Sequence, residues 1–169
     1  MSDILIRYAA PADFDAIVAL NEAAVQHTSA MDVQRLRNLH ALSAYHKVAT
    51  VDGKVAAFLL AMRENAPYPN DNYGFFAARY ARFLYVDRIV VDPSYAGLKL
   101  GTLLYRDLFD YARAQAVPVI TCEYNIEPPN EPSRRFHERF GFSEVGTQWL
   151  DGGRKRVSLQ AAEIPNNIA

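Results

Sequence analysis

A strand–helix–strand succession between residues 84 and 124 constrains the fold of this chain more than any other feature. Leu84 to Val91 is a nearly continuous apolar run that predicts a buried strand. From Leu98 to about Ala116 the apolar residues keep to one face of a helix, and Val117 to Tyr124 predicts a second buried strand. Such a crossover, set among strands joined by short turns, predicts an α/β fold with a mixed, mostly antiparallel sheet flanked by helices.

Two hairpin signals lie on either side of this crossover. Asp52-Gly53 and Asp151-Gly152-Gly153 each predict a tight turn between two strands. The strands joined by these turns are predicted at 47–51, 55–62, 142–150 and 155–159. The remaining predicted elements are a strand at 3–8, a helix from Pro11 as far as Val25, a helix over about 32–44, and a short helix after Asn130. We expect a single domain over residues 1–169, because no repeat or linker interrupts the chain.

Residues 64–80 break this pattern, because they combine Pro67, Pro69 and Gly74 with several asparagines. The composition predicts a long loop, and loops of this length often carry function. The densest aromatic cluster of the chain begins in this loop and continues into the strand that follows it.

Two hypotheses stay open for the aromatic cluster. In the first, its side chains pack in the core and in a lid; in the second, they form a pocket for an apolar or aromatic amine. Arg79 and Arg82 would add a clamp for a carboxylate group on such an acceptor. The residues that we assign to acceptor binding are Tyr73, Phe75, Phe76, Arg79 and Tyr85.

The composition excludes several classes of protein. Of the 169 residues, 50% are hydrophobic and 22% are charged, and the net charge of −1 creates no field that favours nucleic acid or anionic membranes. The first residues do not form a secretory signal, and no apolar run approaches the ~20 residues that span a bilayer. A single cysteine, Cys122, excludes an internal disulfide and a cysteine-based metal site. We therefore expect a cytoplasmic protein without a metal.

The most specific motif lies in residues 130–142. It consists of Asn130, a small residue at Ser133, an aromatic residue at Phe136, and a closing Gly141-Phe142. This pattern resembles the last motif of the GNAT-type N-acyltransferases. The resemblance implies a three-layer α/β sandwich, an N-acetyltransferase activity, and acetyl-CoA as the cofactor. It also implies that Asn130 and Ser133 contact the cofactor arm, although a preference of asparagine for helix N-caps explains Asn130 equally well.

The motif departs from the family at one position, where the usual tyrosine is replaced by His137. A phenol and an imidazole both donate protons, but their ordinary pKa values differ by roughly 3.5 units. A free thiol has a pKa of about 8.5, so only the charged imidazolium is a competent acid toward the leaving sulfur. His137 is thus a candidate proton donor, and the alternative is a histidine that fills space beside Phe136.

The segment after the strand at 84–91 has the features of an anion-binding site. A strand, a turn and a helix start follow one another here, and the free N–H groups of a first helical turn bind phosphate. The segment resembles the acyl-CoA pyrophosphate loop of the same family, with Gly101 on its final glycine and Lys99 in place of the middle one. The resemblance assigns cofactor binding to Ile89, Val90, Val91, Gly97, Leu98, Lys99, Leu100, Gly101 and Thr102.

Two carboxylates are candidates for the base that takes the proton of the amine. Asp87 interrupts an apolar strand and lies on one face with Tyr85 and Ile89. The alternative is a structural pairing of Asp87 with its neighbour Arg88. Glu123 offers the same choice near the end of the second buried strand.

The leading hypothesis is an acetyl-CoA-dependent N-acetyltransferase that acts on a small-molecule amine or an amino-acid-like acceptor by direct transfer. One alternative is a transferase for a protein N-terminus or a lysine side chain. A second alternative is a CoA-binding sensor or interaction module without catalysis. Homodimers are common in the resembled family, although the sequence shows no interface.

Overall fold

The computed structural model describes residues 2–25 and 28–165. Its strands are β1 (Ile4–Tyr8), β2 (Tyr45–Val51), β3 (Lys54–Arg63), β4 (Leu84–Val91), β5 (Val119–Glu127), β6 (Ser143–Leu150) and β7 (Lys155–Glu163). Its α-helices are α1 (Phe14–Ala23), α2 (Val33–Leu42), α3 (Asp71–Arg79), α4 (Leu100–Ala114) and α5 (Glu131–Arg139).

The seven strands form one mixed sheet in the order β1-β2-β3-β4-β5-β7-β6. β4 and β5 are parallel, with Leu84 opposite Ile120, whereas β2 runs antiparallel to both β1 and β3, and β7 to both β5 and β6. The predicted crossover is therefore confirmed, and so is the fold class of an α/β sheet flanked by helices.

Both hairpins lie where the turn residues predict them. Asp52 and Gly53 have φ angles of 50° and 84° between β2 and β3. In the second turn, Asp151, Gly152 and Gly153 all have positive φ. Glycine adopts this left-handed region without a Cβ penalty, and aspartate tolerates it better than most residues, so the local sequence is sufficient to specify these turns.

The prediction of a continuous loop over residues 64–80 is wrong, because Asp71–Arg79 forms α3. The side chain of Asn70 caps this helix by accepting a hydrogen bond from the Tyr73 N–H at 3.0 Å. Asn72, Tyr73 and Phe76 are buried on one side of it. Gly74 and the asparagines lower the helix propensity of this segment, but the burial of that face outweighs them.

Smaller differences concern the ends of elements. α1 ends at Ala23, so Val25 lies beyond it and is 39% exposed rather than part of the helical face. α4 begins at Leu100, because the preceding Lys99 has left-handed backbone angles, with φ 56° and ψ 41°. The last strand continues to Glu163, four residues past the predicted end.

The chain forms two compact units. Unit 1 comprises Met1–Met62 and Asp87–Asp110, and unit 2 comprises Arg63–Val86 and Tyr111–Ala169. The single domain expected over residues 1–169 stays a prediction.

In unit 1, α1 and α2 contribute apolar side chains to a core that also contains buried residues of β2, β3 and α4. An ion pair joins β1 to the turn before α1, since Arg7 donates to both carboxylate oxygens of Asp13 at 2.7 and 2.9 Å. The core side chains with no exposed surface include Ile17, Leu36, Leu39, Val48, Phe58, Leu60, Leu104 and Leu108.

Unit 2 has an aromatic core in which Tyr73, Phe76, Phe83 and Tyr85 contact one another edge-on or at a tilt. α3 is fixed to β6 at two points. Gln148 donates to the Asn72 side chain at 3.1 Å. Gly146 leaves room for the Phe75 ring, because a Cβ at that position would lie 2.8 Å from the ring.

Candidate functional site

The predicted cofactor loop in unit 1 is a cap, a short 3₁₀ turn and the start of α4. Asp92 follows β4, donates its N–H to the carbonyl of Ala56 at 2.8 Å, and accepts from the N–H of Ser94 at 2.9 Å. The 3₁₀ turn covers Pro93–Leu98, and Lys99 then turns the chain into α4. The left-handed angles of Lys99 suit glycine best, and a residue with a Cβ adopts them at a cost of roughly 1 kcal/mol.

The residues assigned to cofactor binding lie together on this segment. Gly97 and Lys99 are exposed, whereas Val90 and Leu100 are buried. Half-buried positions are Ile89, Val91, Leu98, Gly101 and Thr102. The arrangement brings the N-terminus of α4 and the ammonium-bearing side chain of Lys99 to neighbouring positions. Both favour an anion, so the segment fits a pyrophosphate.

Asp87, one candidate base, pairs with its neighbour Arg88. The Arg88 Nε donates to Oδ2 of Asp87 at 2.7 Å, and both side chains are 3% exposed. The structural pairing that the sequence left open is therefore present. It does not test the predicted catalytic role of Asp87.

Glu123, the other candidate base, lies in unit 2 beside Tyr85. The Tyr85 hydroxyl is 2.8 Å from both carboxylate oxygens of Glu123 and donates to them. Tyr85 is completely buried, whereas Glu123 is half-buried on β5. The contact holds the carboxylate in one orientation without cancelling its charge, because a phenol hydroxyl is neutral.

α5 brings the residues of the 130–142 motif together. Oδ1 of Asn130 accepts from the N–H of Ser133 at 3.4 Å, so the helix-capping alternative for Asn130 is confirmed. One turn further on, Nδ1 of His137 lies 2.7 Å from the Ser133 carbonyl and 3.2 Å from its hydroxyl. The imidazole is 4% exposed and packs against Tyr124 and Phe142 as well as Phe136.

These contacts define the proton on His137. A carbonyl oxygen only accepts, so Nδ1 carries the proton and Nε2 of the neutral ring does not. Burial lowers the pKa of His137 below its ordinary value, and the hydrogen bond to the Ser133 carbonyl offsets part of that shift. At neutral pH the ring is therefore uncharged, which makes it a poor acid for a departing thiolate.

The residues assigned to acceptor binding divide into two groups. Tyr73, Phe76 and Tyr85 are buried in the aromatic core of unit 2, and the Tyr73 hydroxyl donates to the Arg63 carbonyl at 2.7 Å. Phe75 is half-buried, and Arg79 is exposed on the last turn of α3.

Arg82, the second residue of the predicted clamp, donates to the carbonyl of Ala116 at 2.6 Å. This bond ties Arg82 to the turn that follows α4. The core-packing hypothesis thus accounts for most of the cluster.

Sequence reasoning missed several polar contacts. It did not find the Tyr85–Glu123 pair, because the two residues are 38 positions apart. It also missed Asn21 and Ser29, which accept hydrogen bonds from Arg88. A signal was present only for Arg88, a charged residue inside an apolar strand.

Neither a metal-binding cluster nor a membrane-spanning helix is present among the described residues. Within residues 2–25 and 28–165, His, Cys, Asp and Glu side chains do not gather in threes at a point that would hold a metal ion. The helices in that part of the chain lack the combination of length and apolar character that a membrane crossing requires.

Comparison with known protein families gives a match over most of the chain. The model of the Acetyltransferase (GNAT) family matches residues 12–142. Among characterised sequences, a phosphinothricin N-acetyltransferase from Streptomyces coelicolor is 42% identical over 67 residues. That match covers 40% of this chain and 37% of the relative, so the chain matches little more than a third of that relative's length.

Solved structures share the fold at low sequence identity. Ard1 from Thermoplasma volcanium superposes with a TM-score of 0.79 at 15% identity, over 96% of this chain and 99% of that one. yncA from Salmonella typhimurium, solved with its cofactor acetyl-CoA, has a TM-score of 0.73 at 24% identity, over 99% and 98%. These likenesses confirm the predicted sandwich architecture.

Proposed function

We propose that this chain, which belongs to the acetyltransferase (GNAT) family of acyl-CoA-dependent N-acetyltransferases, acetylates the primary amine of a small, amino-acid-like acceptor. Acetyl-CoA is the donor, and transfer is direct within a ternary complex. The observation that carries the proposal is the Glu123 carboxylate, held through both oxygens by the buried Tyr85 hydroxyl at 2.8 Å.

Glu123 serves as the base in this proposal. An ammonium must lose a proton before its nitrogen can attack, and a positioned carboxylate supplies the acceptor for that proton. We favour Glu123 over Asp87, because the guanidinium of Arg88 balances the charge of Asp87 at 2.7 Å. Tyr85 then acts as a positioning residue that keeps Glu123 in one rotamer.

The donor would be held by the segment from Ile89 to Thr102. The N-terminus of α4 and Lys99 would bind its pyrophosphate, and the backbone of β4 would align its pantetheine arm. Acetyl-CoA supplies a thioester, whose carbonyl carbon forms the new bond to nitrogen while its bond to sulfur breaks. The thiolate that leaves takes its proton from solvent, because neutral His137 holds its only proton at Nδ1 against the Ser133 carbonyl at 2.7 Å.

A small acceptor is supported by the partial similarity to a phosphinothricin N-acetyltransferase. Phosphinothricin acetylation is a property of that relative, and here it suggests the class of acceptor: a compact molecule with an amine and an anionic group. A panel for testing should therefore contain phosphinothricin, the standard L-amino acids, and a short peptide with a free N-terminus.

Two measurements test the proposal. Calorimetric titration with acetyl-CoA should give a saturable binding isotherm, and thiol release should accelerate with at least one small amine of the panel. Absence of acetyl-CoA binding would refute the assignment of the donor. Binding without turnover of any amine would favour a CoA-dependent sensor, and turnover of the peptide alone would favour a protein acceptor.

A further inference from the structure

Asn125 follows the proposed base Glu123 on the same face of β5. Side chains alternate along a strand, so residues 121, 123 and 125 point to one side of the sheet. In the ladder with β7, Glu123 lies opposite Leu159 and the register shifts only after Asn125. At a rise of about 3.3 Å per residue, the Cα atoms of Glu123 and Asn125 are roughly 7 Å apart. The Asn125 side chain therefore lies next to the proposed base.

Asn125 also carries a buried carboxamide that lacks a partner among the described residues. The residue is 6% exposed. Its main-chain carbonyl accepts from the N–H of Asn130 at 3.0 Å, but its side chain makes no hydrogen bond within residues 2–25 and 28–165. Most buried side-chain amides are hydrogen-bonded, because an unpaired donor or acceptor loses its hydration without compensation. A ligand that reaches Asn125 would complete these hydrogen bonds.

The other residues that flank Glu123 on this face differ from Asn125. Thr121 precedes Glu123 by two positions and has no exposed surface, although its hydroxyl also lacks a partner in the part of the chain that the structure describes. Leu159, across the sheet from Glu123, is apolar and completely buried. Of Thr121, Leu159 and Asn125, only Asn125 combines a polar group with exposed surface.

An amino-acid-like acceptor would present two charged groups to this face. Its ammonium suits the Glu123 carboxylate, since opposite charges attract and the proton passes to that group. Its acid group needs hydrogen-bond donors, and Nδ2 of Asn125 carries two N–H groups. Hydrogen bonds to an ionised acceptor are about twice as strong as those between neutral groups. The span of roughly 7 Å suits an amine and an acid group separated by one or two carbons.

We infer that Asn125 binds the acid group of the acceptor while Glu123 takes the proton of its amine. This inference rests on the proposed function, because it takes Glu123 as the base and an amine as the acceptor. It narrows the acceptor to a compact zwitterion, whose amine and acid group lie on the same carbon or on neighbouring carbons. A molecule with a long chain between the two groups places its acid group beyond the reach of Asn125.

The kinetic test compares Asn125→Ala with the wild type on three acceptors. They are the L-amino acid of the panel that the wild type acetylates fastest, the amine that remains when its carboxylate is removed, and 6-aminohexanoate. Asn125→Ala should raise the KM for the amino acid about tenfold, because the acid group loses its donor. The KM for the other two acceptors should stay within twofold of the wild type, and kcat within about threefold, because Glu123 is kept.

Two further variants control for structural damage. Thr121→Val is the matched control, since it removes an unpaired hydroxyl from the same face of the same strand at a position without exposed surface. It should leave the KM for all three acceptors within twofold of the wild type. Asn125→Asp keeps the volume and replaces the donor with a carboxylate, so the KM for the amino acid should rise about thirtyfold. The KM for acetyl-CoA should not change, because the Asn125 carbonyl still accepts from Asn130.

An unchanged KM for the amino acid in both Asn125 variants would overturn the inference and leave the proposed function in place. So would an equal rise for the amino acid and for its decarboxylated amine, or turnover of the panel peptide alone. If Asn125→Ala does not fold, Asn125→Asp decides the point.

Failure of the wild type to acetylate any amine would refute the proposed function, and a binding measurement then decides the role of Asn125. Its side-chain amide signals in a ¹H–¹⁵N NMR spectrum, identified by their loss in Asn125→Asp, should shift in a saturable way on titration with an amino acid of the panel. Signals that shift with none of these amino acids would overturn the inference.

Discussion

Asp13 and Asp87 in unit 1 are held in a different way from Glu123 and His137 in unit 2. In unit 1, Asp87 pairs with Arg88 and Asp13 with Arg7, so each carboxylate has a cationic partner within 2.7 Å. In unit 2, a neutral hydroxyl holds Glu123 and a backbone carbonyl holds His137. A charged partner offsets the charge of the group it fixes, whereas a neutral partner orients the group and leaves its charge unchanged. We therefore expect that the pairs of unit 1 maintain structure and that Glu123 in unit 2 acts as the base.

The largest effect is expected for Asp87→Asn, which tests whether the pair of Asp87 and Arg88 stabilises the fold. The variant leaves the Arg88 guanidinium buried without its counter-ion, at a position where both side chains are 3% exposed. Loss of one partner from a buried ion pair costs about 3 kcal/mol or more. Urea unfolding should show a fall of that size in the free energy of unfolding. A change below 1 kcal/mol would show that the pair contributes little to stability.

In unit 1, His46 differs from these carboxylates, because its side chain is hydrogen-bonded to another imidazole. Its Nδ1 lies 2.8 Å from Nδ1 of His40, and its Nε2 is buried without a hydrogen-bond partner among the described residues. Burial, with a smaller contribution from His40, lowers the pKa of His46 from 6.5 to about 4, and Asp13 opposes the shift.

The lowered pKa of His46 makes the free energy of unfolding depend on pH. Below about pH 6.5 the unfolded chain binds a proton at this site and the folded chain does not, so stability falls until the pH reaches about 4. At roughly 1.4 kcal/mol per pKa unit, His46 should account for a loss of about 3 kcal/mol across this range. The difference in unfolding free energy between wild type and His46→Phe, measured from pH 7.5 to pH 4, should show this loss. A difference that does not vary with pH would contradict the assignment.

Glu123→Gln tests whether Glu123 is the base that takes the proton of the amine. Loss of the proton acceptor should reduce kcat/KM for the amine about 100-fold, the scale typical of general base catalysis. Tyr85→Phe keeps the base and removes its orienting hydroxyl, so the expected loss is only about tenfold. Asp87→Asn serves as the control for the alternative base. If it reduces kcat more than Glu123→Gln does at a temperature where both variants are folded, Asp87 rather than Glu123 is the base.

The smallest effect is expected for His137→Phe. The ring contacts with Tyr124 and Phe142 persist, and the variant loses one hydrogen bond to the Ser133 carbonyl, worth about 1 kcal/mol. Because the neutral imidazole is a poor acid, kcat should stay within about threefold of the wild type, and its pH profile should keep its shape. A tenfold fall in kcat together with a changed profile would restore His137 as the proton donor.

Sequence reasoning placed the strands and most helices correctly where the local pattern and the tertiary structure agree. The crossover from β4 to β5 was predictable, because both strands are continuously apolar and α4 keeps one apolar face. α3 was not, because Gly74 and several asparagines suggest a loop, and only the burial of Tyr73 and Phe76 in unit 2 stabilises the helix. For the site, the segment at 97–102, the 130–142 motif and the pairing of Asp87 with Arg88 were identifiable, but the contact between Tyr85 and Glu123 and the burial of His137 were not.

The sequence by itself determined the α/β class, the two hairpin turns, the cap of α5 and the family, since each depends on residues that are neighbours in the chain. Only the tertiary structure decided what each polar side chain does. Whether Glu123 faces a phenol, and whether His137 is buried among aromatic rings, depends on which residues surround each side chain after folding. A side chain's charge state and hydrogen bonds follow from burial and from its neighbours in space, and neither is encoded in local spacing.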